Sequence, residues 1–267
     1  MKKKSSTLVP VFLMVLAIFT LLAFKTSTNS VNNSPKNASM TVPQGVAVVE
    51  LFTSEGCSSC PPADDVLRKI NIQPNVFTLG FHVSYWNRLG WIDSFSRKSY
   101  DEKQYAYAER FGTKGVYTPQ TVVNGLSEMV GSKQNVVEKA VKTALETPVK
   151  VTILIENVVK NDKNAVKNRD ISLNYKIVGD YNNDAVLQVA LVESNFATHV
   201  KNGENEGRTL KHDNVVRDFQ TLKLKNTEGS VSIKTSSGWN LKNCAVIMYV
   251  QEKGVGAIIG ATKWAEL

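Results

Sequence analysis

The sequence predicts an α/β domain followed by an antiparallel β-sandwich. Three observations predict it. Between Val46 and Tyr85 an apolar run, a helical pattern and a second apolar run follow one another. Two further helical patterns lie between Phe95 and Leu145. Beyond Pro148 the texture changes to runs in which polar and apolar residues alternate, the period of half-buried strands. The chain of 267 residues, 42% hydrophobic and 21% charged, is long enough for two packed domains.

"VAVVELF", Val46 to Phe52, is apolar on both faces apart from Glu50, as in a central strand covered on both sides. In "PPADDVLRKIN" the residues Val66, Leu67 and Ile70 share one helical face. Two prolines fit only the start of a helix, so this one begins close to Cys60. "VFTLGFHVSY", Val76 to Tyr85, reads as a second strand, which completes a right-handed βαβ unit. Phe95 to Phe111 is helical in pattern, with Phe95, Tyr105, Ala108 and Phe111 toward the core; Gly112 and Gly115 end it. "QTVV" is a short strand, Asn124-Gly125 a hairpin turn, and "LSEMV" the returning strand. Ser132 is placed to cap a last helix through Leu145, whose apolar positions are Val136, Val137, Ala140, Val141 and Ala144. Among the later runs "VKVTILIENV", "DISLNYKIV" and "CAVIMYVQE" are the clearest strands, whereas residues 202–222 are polar and do not read as one.

Lys2, Lys3 and Lys4 precede an apolar block from Leu8 to Phe24. Residues 1–25 are therefore expected to be an export signal or an uncleaved membrane anchor, with the rest of the chain periplasmic or extracellular. Residues 26–44, rich in Ser, Thr and Asn, are expected to be a disordered linker. Residues 45–148 and 149–267 then form the two domains. The formal net charge is +8, but the lysines are scattered among acidic residues and no arginine run is interleaved with aromatics, which argues against a nucleic-acid partner.

The chain has three cysteines, Cys57, Cys60 and Cys244, too few for a disulfide scaffold. "GCSSCPP" admits three readings. A bridge across so few residues constrains little of the unfolded chain, so a staple is poor. Zinc would lack ligands. A redox dithiol needs paired thiols where free backbone N–H groups favour a thiolate, and a strand end followed by a helix start supplies that place. Cys57 is expected to be the exposed nucleophile and Cys60 the buried resolving thiol, with the Ser58 and Ser59 hydroxyls able to bond a thiolate or cap the helix. The chemistry needs no organic cofactor. It needs a thiol or disulfide substrate, protein or small molecule, and a partner that resets the dithiol.

A CxxC in a βαβ unit, then a helix, Thr118-Pro119, a hairpin and a last helix resembles the element order of thioredoxin-like folds. The resemblance makes the first domain thioredoxin-like and the whole an α/β thioredoxin-like domain followed by an antiparallel β-sandwich domain. It implies that Pro119 is cis and packs beside the dithiol, with backbone nearby pairing an extended substrate. "VVELFTSEGCSSCPPAD" closely resembles the hallmark of a family of exported, thioredoxin-like bacterial proteins of uncharacterised function. "YTPQTVVNG", "GENEGRTLKHDNVVR" and a late "GW…C" extend the match. The family lends a fold and a redox role, and no substrate. Pro61-Pro62 and the lack of a Trp before Cys57 depart from ordinary thioredoxins and argue against general disulfide reductase activity.

The same resemblance makes Glu50 a candidate for moving a proton to or from the buried thiol; the competing reading is an ion pair with a lysine. Glu55 is expected to be a solvated turn residue. His82, Tyr85, Trp86 and Trp91 line a groove beside the dithiol or belong to ordinary packing. Glu204, Arg208, His212 and Arg217 suit a hydrogen-bonded loop at a domain interface, and Cys244 a buried, inert thiol. Two functions follow: a thiol–disulfide oxidoreductase acting through Cys57, Cys60, Thr118, Pro119 and Glu50, or a non-catalytic binding module, including a copper-handling protein that uses Cys57, Cys60 and His82.

Overall fold

β1 (Ala47–Thr53) is buried at all of its positions, as its apolar run requires. The computed structural model describes residues 44–161, 170–265 and 267. The expected leader and nearly all of the expected linker lie outside these residues. α1 (Pro61–Ile70) starts on its two prolines and buries Ala63, Val66, Leu67 and Ile70. β2 (Val76–His82) runs parallel to β1. α2 (Lys98–Phe111) starts three residues beyond Phe95, and its inward residues are Tyr100, Gln104, Tyr107 and Ala108; Tyr105, expected inside, is exposed. β3 (Gln120–Val123) lies antiparallel to β1 and forms a hairpin with β4 (Ser127–Val130). At the hairpin turn Asn124 has φ +48°, and its side chain accepts from the Val48 N–H at 2.7 Å and donates to the Val46 carbonyl at 2.8 Å. α3 (Gln134–Glu146) buries Val137, Val141 and Ala144. Its N-cap is Lys133 without a side-chain hydrogen bond, so Ser132 does not cap it, and Val136 is exposed.

The later chain supplies β5 (Val151–Asn161), β6 (Asp170–Gly179), β7 (Val186–Glu193), β8 (Phe196–His199), β9 (Thr209–His212), β10 (Val215–Lys223), β11 (Glu228–Lys234), β12 (Cys244–Gln251) and β13 (Ile258–Trp264). β9 and β10 occupy most of the stretch expected not to be strand. A bulge between Val216 and Asp218 interrupts the alternation of β10, and its Arg217, Asp218 and Gln220 hide it from a pattern reading.

The expected fold class is overturned by the sheet order, β13-β12-β7-β10-β2-β1-β3-β4. Strands of both halves join one mixed eight-stranded sheet with few helices, so the protein is mostly β, and neither a thioredoxin-like α/β domain nor a separate sandwich follows from it. The join is at β10, where Val215 pairs with Gly80 of β2 and the Gly80 N–H donates to the Asn214 carbonyl at 2.9 Å. A strand edge left open at β2 would carry unpaired N–H and C=O groups; β10 pairs with it at Gly80.

Three apolar cores hold this sheet. Ala47, Val49 and Leu51 pack under α1 and α3. On the other face Val48 and Phe52 pack with Tyr100 and Tyr107 of α2 and with Val192, Ile247 and Tyr249. A three-stranded sheet, β11-β6-β5, buries Ile171, Leu173 and Ile233 against Leu187, Leu191 and Met248. β8 and β9 form a separate hairpin.

Candidate active site

The chain leaves β1 at Thr53 and turns tightly. The Cys57 N–H donates to the Ser54 carbonyl at 3.1 Å and the Gly56 N–H to the Ser54 hydroxyl, also at 3.1 Å. Cys60 is the N-cap of α1, its carbonyl accepting from the Ala63 and Asp64 N–H groups at 2.8 and 3.2 Å. Cys57 and Cys60 are bridged, with their Cα atoms 5.4 Å apart. The bridge therefore sits at the positive end of a helix, where a released thiolate would be favoured.

The Thr118–Pro119 peptide is cis. The Thr118 hydroxyl donates to Cys57 Sγ at 3.3 Å and in turn accepts from the Trp86 indole N–H at 2.8 Å. The Ser59 hydroxyl lies 3.3 Å from the same sulfur. Thr118, Ser59, Trp86 and the two cysteines thus come together as one group.

Cys57 was expected at the surface; it and Cys60 are both fully buried, while Ser58 and Ser59 between them are exposed. The turn between β8 and β9 is bonded to the backbone of the same loop. Asn205, itself fully buried, donates through Nδ2 to the carbonyls of Glu55 and Cys57, both at 2.9 Å. Arg208 donates to Asn205 Oδ1 at 2.7 Å. Glu204 accepts from the Ser58 N–H at 3.0 Å and the Ser58 hydroxyl at 2.7 Å, and these bonds hold its carboxyl below the usual range.

Glu55 is not a solvated turn residue. Its side chain is fully buried, accepts from the Trp91 indole at 2.9 Å and lies 3.6 Å from His212 Nε2. His212 Nδ1 is 3.4 Å from Asp64. Burial works against an imidazolium here, but Asp64 and Glu55 outweigh it and lift His212 to about 10. The His212 ring stands edge to face on His82, with centroids 4.9 Å apart. His82 Nδ1 is 2.7 Å from Asp93. Burial raises the Asp93 carboxyl, yet His82 and the N–H groups of Glu55 and Phe95 leave it below its ordinary value. A buried charged cluster therefore lies against the loop that carries the dithiol.

Glu50 sits elsewhere. It shares the β1 face of Val48 and Phe52, whereas α1 covers the opposite face. Its carboxylate accepts from the Tyr107 and Tyr249 hydroxyls and lies 3.2 Å from Lys103 Nζ. The lysine ion pair is what forms, and Glu50 is not brought to the dithiol. Of the expected groove, Trp86 reaches the site through Thr118, Trp91 and His82 belong to the charged cluster, and Tyr85 bonds Gln104. Arg217 leaves the expected polar loop: it lies 3.4 Å from Glu193 and over the rings of Phe95, Phe196 and Trp239. Cys244 is buried, and its thiol is pushed up to about 12 by burial and by Glu193. Asn205, Asp64 and Asp93 belong to the site; Asp64 and Asn205 lie inside the quoted motifs without a role being read for them, and Asp93 lies outside them.

An open apolar cavity of about 640 Å³, lined by Val46, Leu126, Met129, Ala140 and Ile259, contains none of these residues. Among the described residues no group of three or more His, Cys, Asp or Glu side chains is placed to hold a metal ion.

No curated protein matches the chain. It is 29% identical to protein AGR_C_4864 of Agrobacterium tumefaciens, whose X-ray structure aligns with a TM-score of 0.60 over 84% of this chain and 96% of that one. HBP35 of Porphyromonas gingivalis, 17% identical, aligns with a TM-score of 0.57 over 84% of this chain and 76% of that one, a likeness of fold alone. Residues 48–251 match a family described as a protein of unknown function, DUF1223. The dithiol loop, the cis proline and the β8–β9 turn all fall inside that span, and the chain belongs to the DUF1223 family.

Proposed function

We propose that the protein is an exported thiol–disulfide oxidoreductase whose working group is the Cys57–Cys60 pair. The observation that carries this reading is the bridge at the N-terminus of α1, with Thr118 and Ser59 hydroxyls within 3.3 Å of Cys57 Sγ. In the reduced protein those hydroxyls and the helix N-terminus favour a Cys57 thiolate. This thiolate attacks one sulfur of a substrate disulfide and forms a mixed disulfide, and the first substrate thiolate leaves. Cys60 then attacks Cys57 Sγ, closes the bridge and releases the second thiolate. The substrate gains two electrons, the dithiol loses two, and the two cysteine protons end on the two released thiols. A second thiol–disulfide partner reverses the change. The lysine-led apolar block supports a site outside the cytoplasm, where such a bridge persists.

Equilibration of the protein with glutathione buffers, followed by alkylation and mass measurement, tests the reading. A single two-electron transition is expected, lost in Cys57→Ala. A bridge that stays closed in excess dithiothreitol, or a reduced protein inert toward every test disulfide, removes it.

A further inference from the structure

The turn bonded to the Cys57 loop is compact in itself. Its Val200 and Arg208 backbones bond each other, the Glu206 N–H donates to the Gly203 carbonyl at 3.1 Å, and the Gly207 N–H donates to the Val200 carbonyl at 2.9 Å. Gly203 and Gly207, at φ +81° and +76°, bracket Glu204 and Asn205. Such a turn can leave the dithiol loop as a unit by breaking the bonds of two side chains. One of these, Asn205, is buried. The other, Glu204, is exposed, and among the described residues only Ser58 binds its carboxylate.

Ser58 stands between the two sulfur-bearing residues and points both of its donors at one carboxylate oxygen. Two donors converging on one anionic oxygen, at an exposed position, make a point of recognition that an outside carboxylate can take over without crossing the core. Glu204 and Asn205 are neighbours in the chain. Displacing the first carries the second away from the carbonyl of Cys57, and so frees the loop that holds the sulfur.

Resting on the oxidoreductase reading, we infer that Ser58 determines specificity: its N–H and hydroxyl receive a carboxylate of the incoming thiol or disulfide, which displaces Glu204 and releases the turn from the Cys57 loop. The substrate class is then a thiol or disulfide that carries a carboxylate within a few bonds of its sulfur. Glu204 occupies the receptor between turnovers.

The test compares the oxidation rates of the reduced protein by dithiodiglycolate, which carries carboxylates, and by cystamine, which carries ammonium groups. The wild type is expected to prefer dithiodiglycolate by about tenfold, in line with loss or gain of one charge-assisted hydrogen bond. Ser58→Ala alters no charge, so a preference set merely by the net positive charge of the chain would survive it; here the ratio should fall several-fold. Glu204→Ala should speed oxidation by both reagents. An unchanged ratio in Ser58→Ala, or no acceleration in Glu204→Ala, overturns the inference and leaves the oxidoreductase reading standing. Failure of all three proteins to react with either disulfide removes that reading and the inference together.

Discussion

The Tyr249 hydroxyl donates to Glu50 at 2.7 Å, joining residues 199 positions apart. Tyr107 donates to the other carboxylate oxygen, and Lys103 lies 3.2 Å away. Burial, reinforced by Glu50, pushes both tyrosine hydroxyls well above 10, so both remain donors through the neutral range. Three elements, β1, α2 and β12, thus meet at one carboxylate. Glu50→Gln would leave the Lys103 ammonium, 8% exposed, without a counter-charge. A loss of about 3–5 kcal/mol is expected from urea midpoints. The rate of thiol exchange per folded molecule should hold, because Glu50 faces away from α1.

The stability of the His212 cluster should depend on pH with a definite sign. An imidazole lifted to about 10 in the folded protein binds protons more tightly than in the unfolded chain, where it titrates near 6.5. Its contribution is complete below about 6.5, declines above it and is gone once pH passes about 10. The His82, Asp93 and Asp64 groups share the cluster, so the measurement is a comparison: wild type minus His212→Gln, by denaturant unfolding from pH 5 to 10.5. The difference should shrink as pH rises. A difference that stays flat contradicts a charged His212.

Asn205 gives two bonds to buried carbonyls and receives one from Arg208. Asn205→Ala should cost about 1–3 kcal/mol, because the Glu55 carbonyl loses its donor and the Cys57 carbonyl keeps only the Cys60 N–H at 3.2 Å. In the reduced protein, alkylation of Cys57 by iodoacetamide should accelerate, and amide exchange should rise in residues 203–208. Protection unchanged in that turn would show that Asn205 does not hold it down.

The join of the two halves of the sheet depends on Asn214, at φ +51°. Its side chain donates to Asn71 and Thr78, both at 2.7 Å, and accepts from Ser194 at 2.9 Å. Asn214→Ala loses these bonds and also places a side chain that disfavours the left-handed region. Asn214→Gly loses only the bonds. The alanine variant is expected to be the less stable by about 1 kcal/mol in thermal or urea unfolding. Equal stabilities would mean that the backbone conformation relaxes.

The sequence by itself determined the local elements that surround the cysteines. The apolar run of β1, the prolines that open α1, the Asn124-Gly125 turn and the placement of Cys57 and Cys60 at a helix start are all consequences of nearby residues, and short-range patterns record them. Only the tertiary structure decided what those elements touch. The polar segment after Asn202 yields β10, which completes the sheet through a bulge that no alternation reveals, and the β8–β9 turn, which ties down the Cys57 loop with Asn205. Glu55 looks like a solvated turn residue until His212, more than 150 positions later, meets it in the interior. A contact between distant segments is fixed by the burial of both at once, and neither segment alone carries a periodicity or charge pattern that names its partner.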